Sequence, residues 1–590
     1  MAHRSIRKAF IAGALTLSLI TAACGDSDEG DDAATDGTEQ DGGTETSAGG
    51  GNQQLTETDC GQLEFDPDAP TGGTFTDYAY MSDSGTNTSF DPGAVQTLNE
   101  FQITQAIFDS LTDFDFSEKC SPELKGDLAE SWEVNDDATQ YIFTLKEGVT
   151  YSDGSEVKAS DFKAAWERAG SAEFGSSYGY LVNNIEGGEA LNAGEAEELS
   201  GVTADDEAGT LTIDLAAPNA EFASILVHPF FSPAQPDDLA KIGKETGWGD
   251  KGLTIGTGPF MLEKADENEV VLVPNPEWDG NVYGDTEVNL ERIVFKMTID
   301  VETAFQTFEA GEGDSAPIPS GRFADAQAAF PQNSVNTPVM GVYYFDFGAD
   351  DPQVGGDENI KLRKAIAMAI DRDELNEKVY EGTRDDATGI VPPGIPGYND
   401  ALCEEICTYD PERAKELYDE WVAEGGELTR PIRIDYNEGG SHGDVATIIQ
   451  ANLKDNLGIE TELGGVAEDY FKLVAEPGGC QLCRAGWYAD YPTYGNFMVD
   501  LFSAASIGGN NFGRFDNDEF ETLIADAQAE TDDAARAKLY NEAESLLLNE
   551  QAHAVPLNFY TGNQVYRDRV HNYDYGPLGF VMWERLAVDG

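Results

Sequence analysis

The chain has 590 residues, of which 35 are basic and 111 acidic, giving a net charge of −76 at pH 7. Acidity on that scale repels phosphate backbones and anionic lipid surfaces, which excludes nucleic acid and acidic membranes as partners. The length exceeds what one hydrophobic core supports, so two or more lobes are expected.

At the N-terminus His3, Arg4, Arg7 and Lys8 precede an uncharged run, residues 9–23. This is the pattern of a secretory signal peptide, residues 1–23, and is too short for a comfortable membrane span. The run closes Leu19-Ile20-Thr21-Ala22-Ala23-Cys24-Gly25 and looks like a bacterial lipobox, with Thr21 where leucine is usual. Lipidated Cys24 would anchor the exported chain to the outer face of the cell membrane without spanning it. Residues 24–70 are mostly Asp, Glu, Gly, Thr and Ser. They cannot bury enough surface to repay their ordering entropy, and read as a disordered acidic tether. No later apolar run reaches about 18 residues, so the remainder is expected to be soluble, under an acidic coat.

In the folded part, residues 73–81 read as a strand, Ser89-Phe90-Asp91-Pro92 as a turn, and Val95, Leu98, Ile103, Ile107 and Leu111 fall at helical spacing. Residues 126–134 lead into a strand at 141–146, the turn Tyr151-Ser152-Asp153-Gly154 and a helix capped by Ser160. Strands follow at 210–215 and 269–273. Between them Gly256-Thr257-Gly258-Pro259-Phe260 lacks the G-K-[ST] and the following helix of a phosphate loop, so tight turn geometry is expected. Residues 362–370 form a helix ending near Asp371, and Asp410-Pro411-Glu412 opens another that stops at Gly425-Gly426. A strand at 432–436, a helix at 442–457 and a strand at 459–463 alternate as in an α/β lobe with a parallel sheet. Residues 520–548 are helical and 555–559 return to strand.

Gly486-Trp487-Tyr488-Ala489-Asp490-Tyr491-Pro492, continuing Thr493-Tyr494-Gly495-Asn496-Phe497, sets one carboxylate among five rings on a segment that Pro492 and Gly495 mark as a turn. Aromatic walls around a fixed negative charge suit a cationic group. The same rings would also serve a strand that enters the core with Asp490 capping it.

Six cysteines besides Cys24, namely Cys60, Cys120, Cys403, Cys407, Cys480 and Cys483, are disulfide candidates in an exported chain. The spacings favour Cys403 with Cys407 and Cys480 with Cys483, leaving Cys60 for Cys120. A zinc site from C-x3-C plus C-x2-C is the rival, with no histidine near either pair. A redox role for Cys480-Gln481-Leu482-Cys483 lacks the helix that should begin there. No metal and no cofactor are expected.

Leu128-Ala129-Glu130-Ser131-Trp132, Phe143-Thr144-Leu145 with Ser152-Asp153-Gly154, Gly256-Thr257-Gly258-Pro259-Phe260, Asn275-Pro276-Glu277-Trp278, Arg363-Lys364-Ala365 with Ala369-Ile370-Asp371-Arg372, and Trp487 with Ala489-Asp490-Tyr491 occur in this order. Together they resemble the extracellular solute-binding protein family 5, the peptide-binding components of ABC importers, from about Gly72 to the C-terminus. The resemblance implies an α/β fold, a two-lobed periplasmic-binding-protein-like clamshell of the enlarged type II class. Lobe I would be discontinuous, residues 71–341 with an inserted subdomain plus 555–590, and lobe II would be 342–554. It further implies a monomeric receptor that captures peptides between the lobes and delivers them to ABC permease subunits. Asp490 matches the aspartate that holds a peptide ammonium in relatives, and Trp487 a pocket-wall tryptophan. Tyr491, Tyr180, Gln96, Thr97 and Leu98 are carried over by position. Some members bind nickel complexes, sugars or other small solutes instead.

A hydrolase is the rival from another class. Gly439-Gly440-Ser441-His442-Gly443 is G-x-S-x-G between an expected strand and helix, the setting of a nucleophile elbow, with His553 and His571 following in chain order. Gly175-Ser176-Ser177-Tyr178-Gly179 matches without that setting. The simpler reading of Ser441 is a helix N-cap in a glycine-rich turn.

Overall fold

The computed structural model describes residues 65–78, 89–95, 97–117, 122–244, 252–266, 268–297 and 300–590. The expectations for the signal peptide, most of the tether, Cys24, Cys60, Gln96 and Cys120 lie outside the described residues.

In chain order the strands are β1 (Thr74–Asp77), β2 (Thr112–Asp115), β3 (Glu123–Gly126), β4 (Ala129–Val134), β5 (Gln140–Leu145), β6 (Val202–Asp205), β7 (Thr210–Asp214), β8 (Phe260–Ala265), β9 (Glu269–Pro274), β10 (Arg292–Lys296), β11 (Ser315–Pro317), β12 (Ser334–Phe347), β13 (Ile432–Asn437), β14 (Thr461–Val466), β15 (Leu482–Tyr488), β16 (Ala554–Tyr566), β17 (Val570–His571) and β18 (Ala587–Val588). Ten of them make one sheet in the order β14-β13-β15-β12-β16-β11-β1-β10-β9-β8. A four-stranded sheet, β4-β5-β7-β6, stands apart from it.

The middle of the large sheet is the antiparallel pair β12 and β16, each more than twice the length of most other strands. Residues 339–347 and 554–560 are buried without a break, as expected of strands covered on both faces. One side of the pair carries β15, β13 and β14, and the other carries β11, β1 and β10 to β8. The β-α-β unit read from the sequence is present: β13 and β14 are parallel, joined by the helix His442–Leu457, which Gly458 ends in the left-handed conformation. On this side of the sheet parallel pairing stops at β13–β15, because β15, β12 and β16 pair antiparallel, and on the other side β1 is parallel to β10 and β11.

Local signals fix the helices where they are strong. Asp410 accepts from the Arg413 amide and Pro411 occupies the first turn of Pro411–Ala423. Two expectations need correction. The helix after Gly154 spans Ala159–Ala169 with Lys158 at its N-cap, and Ser160 instead bonds to Asp206 through both its amide and hydroxyl. The long helix expected over 520–548 is two, Asp518–Ala529 and Asp533–Ser545, because Asp532 accepts from the Ala535 amide and starts a second helix.

Gly256 and Gly258 serve close approach. A Cβ on Gly256 would lie 2.0 Å from the Ile107 carbonyl oxygen, and the Gly258 amide donates to that oxygen at 2.8 Å. They close against the end of the helix Leu98–Ile107. Cys403–Cys407 and Cys480–Cys483 are disulfides, as their short spacings led one to expect. These bonds use the thiols that a zinc site would need.

Candidate functional site

The site begins at a break in register. Between Pro338 and Val342 the β12–β16 ladder shifts, and the freed backbone of Met340 turns to other partners. Its amide donates to the Pro577 carbonyl at 2.7 Å, and its carbonyl accepts from the Ala489 amide at 2.7 Å. The chain leaving β15 is therefore pinned one residue before Asp490.

Asn496 fixes the rest of the turn. Its Oδ1 accepts from the Asp490 amide and from the Trp487 indole, both at 3.0 Å, while its Nδ2 donates to Asp500 at 2.9 Å. The side chain is fully buried, so these bonds act without competition from water. Tyr491 is 3 % exposed and its hydroxyl donates to Asp500 at 2.6 Å, which places its ring behind the site. Tyr494 likewise turns inward, to Glu544.

Asp490 itself is half-buried, and its Oδ1 accepts from the Tyr178 hydroxyl at 3.3 Å, across 312 residues of sequence. Burial, then the charge of Asp500, push its carboxyl up to about 8, against smaller lowering by Asn496 and Tyr178. Asp500 is itself raised to about 6, chiefly by burial. Among the described residues no cation pairs with Asp490 within 4.0 Å.

Tyr178 belongs to an aromatic group from the other side of the sheet: its ring lies 4.4 Å from His228 and 5.9 Å from Phe101, and Phe101 stacks on Phe580 at 6.2 Å. Tyr180, half-buried, lies 6.2 Å from Tyr178, and its hydroxyl makes no direct hydrogen bond of ordinary geometry. Thr97 is occupied as the N-cap of the helix Leu98–Ile107, where it and Glu100 form a capping box. Leu98 touches Gly579.

A second charged group, unremarked in the sequence, faces the same region. Along β15, Arg484, Gly486 and Tyr488 share one face of the sheet, since successive side chains alternate. Arg484 Nη2 donates to the Tyr560 hydroxyl at 3.1 Å and Nη1 to Asn437 at 3.3 Å, with the guanidinium 4.9 Å from the Tyr343 ring. Its buried Nε has no hydrogen-bond partner, and the described residues offer it no carboxylate. Arg384 lies over Tyr380 at 3.7 Å and Tyr560 at 4.8 Å. His442 bonds the Tyr343 hydroxyl at 3.0 Å; burial, then Arg484 and Arg384, hold it down to about 2, so it is a neutral imidazole. Gly486 makes room: a Cβ there would meet the Tyr560 hydroxyl oxygen at 2.1 Å. Tyr488 stacks on Tyr560 at 4.5 Å and is 36 % exposed. One carboxyl group, with Asp500 close behind it, and one guanidinium thus lie on the same strand and its exit turn.

Comparison with known proteins identifies the family and the fold. A family model described as "Bacterial extracellular solute-binding proteins, family 5 Middle" matches residues 123–509. The chain belongs to that family. Its members are extracytoplasmic solute-binding proteins, and no described helix here is long and apolar enough to cross a membrane. The dipeptide-binding protein DppE of Bacillus subtilis is 28 % identical over 513 residues, covering 85 % of this chain and 90 % of its own. A probable deoxycholate-binding periplasmic protein of Escherichia coli is also 28 % identical, over 519 residues and 87 % and 93 % of the two chains. Among solved structures, the DppA of Helicobacter pylori in complex with the peptide STSA superposes with a TM-score of 0.72 at 22 % identity, over 88 % of this chain and 99 % of that one. The fold is therefore the two-lobed α/β clamshell of this family, with β12 and β16 running between the halves of the sheet.

Proposed function

We propose that the protein captures short peptides between its lobes, holding the ammonium on Asp490 and the carboxylate on Arg484, and passes them to an ABC permease. The observation that carries this reading is the pairing of two charges without partners of opposite sign, one on each side of Gly486. Peptides share an ammonium, a carboxylate and a backbone, so a binder grips those by charge-assisted bonds. Six residues separate Arg484 from Asp490, a span of at most about 20 Å, which limits an extended ligand to roughly six residues. The names of the dipeptide-binding relative and of the peptide-bound neighbour support the solute class.

The lobe boundaries at 341/342 and 554/555 are part of the proposal. They fall inside β12 and at the start of β16, where a change in strand twist would open the cleft. Tethering through lipidated Cys24 also belongs here, on the strength of the lipobox-like run. Catalysis is not proposed: His553 packs on Phe515 at 4.7 Å and His571 pairs with Asp589 at 3.1 Å, so the two histidines an elbow at Ser441 would need are engaged elsewhere.

The test is a thermal-shift screen of ligand-stripped protein with tripeptides, N-acetylated tripeptides, C-amidated tripeptides and deoxycholate. Stabilisation follows RT ln(1 + [L]/Kd), so a ligand at a hundred times its Kd adds about 2.7 kcal/mol. Free tripeptides are expected to raise Tm and both blocked forms to raise it far less. Stabilisation by deoxycholate alone would overturn the peptide assignment.

A further inference from the structure

A cavity of about 160 Å³ is lined wholly by residues 105–127, 227–283 and 576–584, and so by neither Asp490 nor Arg484, although Pro577 in its wall bonds Met340, which holds Ala489. That is about the volume of an engineered cavity that admits benzene. Its walls are aromatic: Phe108, Phe114, Trp278 and Trp583 are each no more than 9 % exposed, with Tyr283 and Phe580 beside them. Four carboxylates, Asp109, Asp113, Asp127 and Glu584, line the same space.

One of them is poorly satisfied. Asp127, 6 % exposed, accepts from the Ser110 amide, whereas the buried Oδ2 of Asp109 accepts no hydrogen bond. Lys146 acts on both, and it is itself paired with Asp279 at 3.5 Å. Burial raises all four carboxyls, and Asp109, Asp113 and Asp127 repel one another. Such a site favours a positive occupant. The described carboxylates do not converge as a metal-ligand set, so a single metal ion does not satisfy them. An apolar wall instead suits an ammonium with a hydrophobic body, held by charge and by ring faces.

We infer that this chamber is a second ligand site, for a small organic cation with a ring-sized apolar body, bound by Asp109 and Asp127 against Trp278 and Trp583. The inference is independent of the peptide reading, because none of these residues touches Asp490 or Arg484.

Phenethylammonium is the probe, titrated calorimetrically into the purified protein and into Asp490→Asn. The expected result is one site of equal affinity in both, weakened at least tenfold by Asp127→Asn and by Asp109→Asn, while peptide affinity in those two variants stays unchanged. Trp278→Phe, which keeps the carboxylates, is expected to weaken the amine several-fold, and serves if either aspartate variant fails to fold. The inference is overturned by absence of heat at about 10 mM probe, by equal binding of 3-phenylpropionate, by loss of the site in Asp490→Asn, or by an unchanged affinity in Trp278→Phe.

Discussion

Asp490 is held by its neighbours before any ligand arrives. Asn496 fixes the backbone, Tyr178 caps one oxygen, and Asp500 keeps the local charge negative. Replacing it by Asn keeps the shape and removes the charge, so peptide affinity should fall by about 1–3 kcal/mol, as for a lost charge-assisted bond. Calorimetry with a free tripeptide checks this, and an N-acetylated one should show no difference between variant and wild type. Arg484→Gln should weaken free-acid peptides by a similar amount while leaving C-amidated peptides unaffected. At this scale the sequence was partly legible. A carboxylate among rings pointed to Asp490, but its bond to Tyr178 was not legible, because the contact spans 312 residues and no local pattern encodes it. Arg484 went unread because a single arginine in a strand carries no mark of whether a carboxylate will face it.

At the scale of elements, β15 and the bulge in β12 do the positioning. Gly486 looked like part of a turn, yet it lies in a strand whose register is set opposite Tyr343. Its lack of a side chain lets Tyr560 cross the sheet beside Arg484. Gly486→Ala should displace Tyr560, cost about 1–3 kcal/mol of stability by overpacking and weaken peptide binding together with it. Chemical denaturation read alongside a binding titration would show the two effects, and a variant with wild-type values for both would refute the role given to Gly486. Helices with full punctuation, such as His442–Leu457 and Pro411–Ala423, were legible to within a residue or two. Those with weaker marks were not: an unbroken apolar pattern hid the start of a new helix at Asp532, and Lys158, no ordinary cap, precedes Ala159–Ala169.

For the whole molecule, charge is the dominant fact. A net charge of −76 destabilises the compact state through self-repulsion. Buried carboxyls act in the same sense: Asp77, Asp386 and Asp500 are raised to about 6, Asp113 to about 7 and Asp490 to about 8, mainly by burial. A folded-state value above the unfolded one gives stability that is complete below about pH 4 and lost as pH rises through 6 to 8. Thermal stability should therefore increase as pH is lowered from 8 to 5, and at pH 8 it should increase with added salt. A melting temperature that falls over that pH range would contradict this account. The clamshell itself was legible only through several short motifs in register, since periodicity alone shows alternating strands and helices without the order β14-β13-β15-β12-β16 that joins the halves.

The central claim, that Asp490 receives a ligand ammonium, is tested most directly by counting protons. With its carboxyl near 8, Asp490 is about nine-tenths protonated at pH 7 when empty, and an ammonium partner would drive that proton off. A peptide amine, with a pKa of about 8, takes back about 0.1 proton at the same pH. Calorimetric titration of a tripeptide at pH 7, in buffers of different ionisation enthalpy, should show net proton release in the wild type and none in Asp490→Asn. Binding with no proton release in the wild type, or with the same release in the variant, would contradict the assignment.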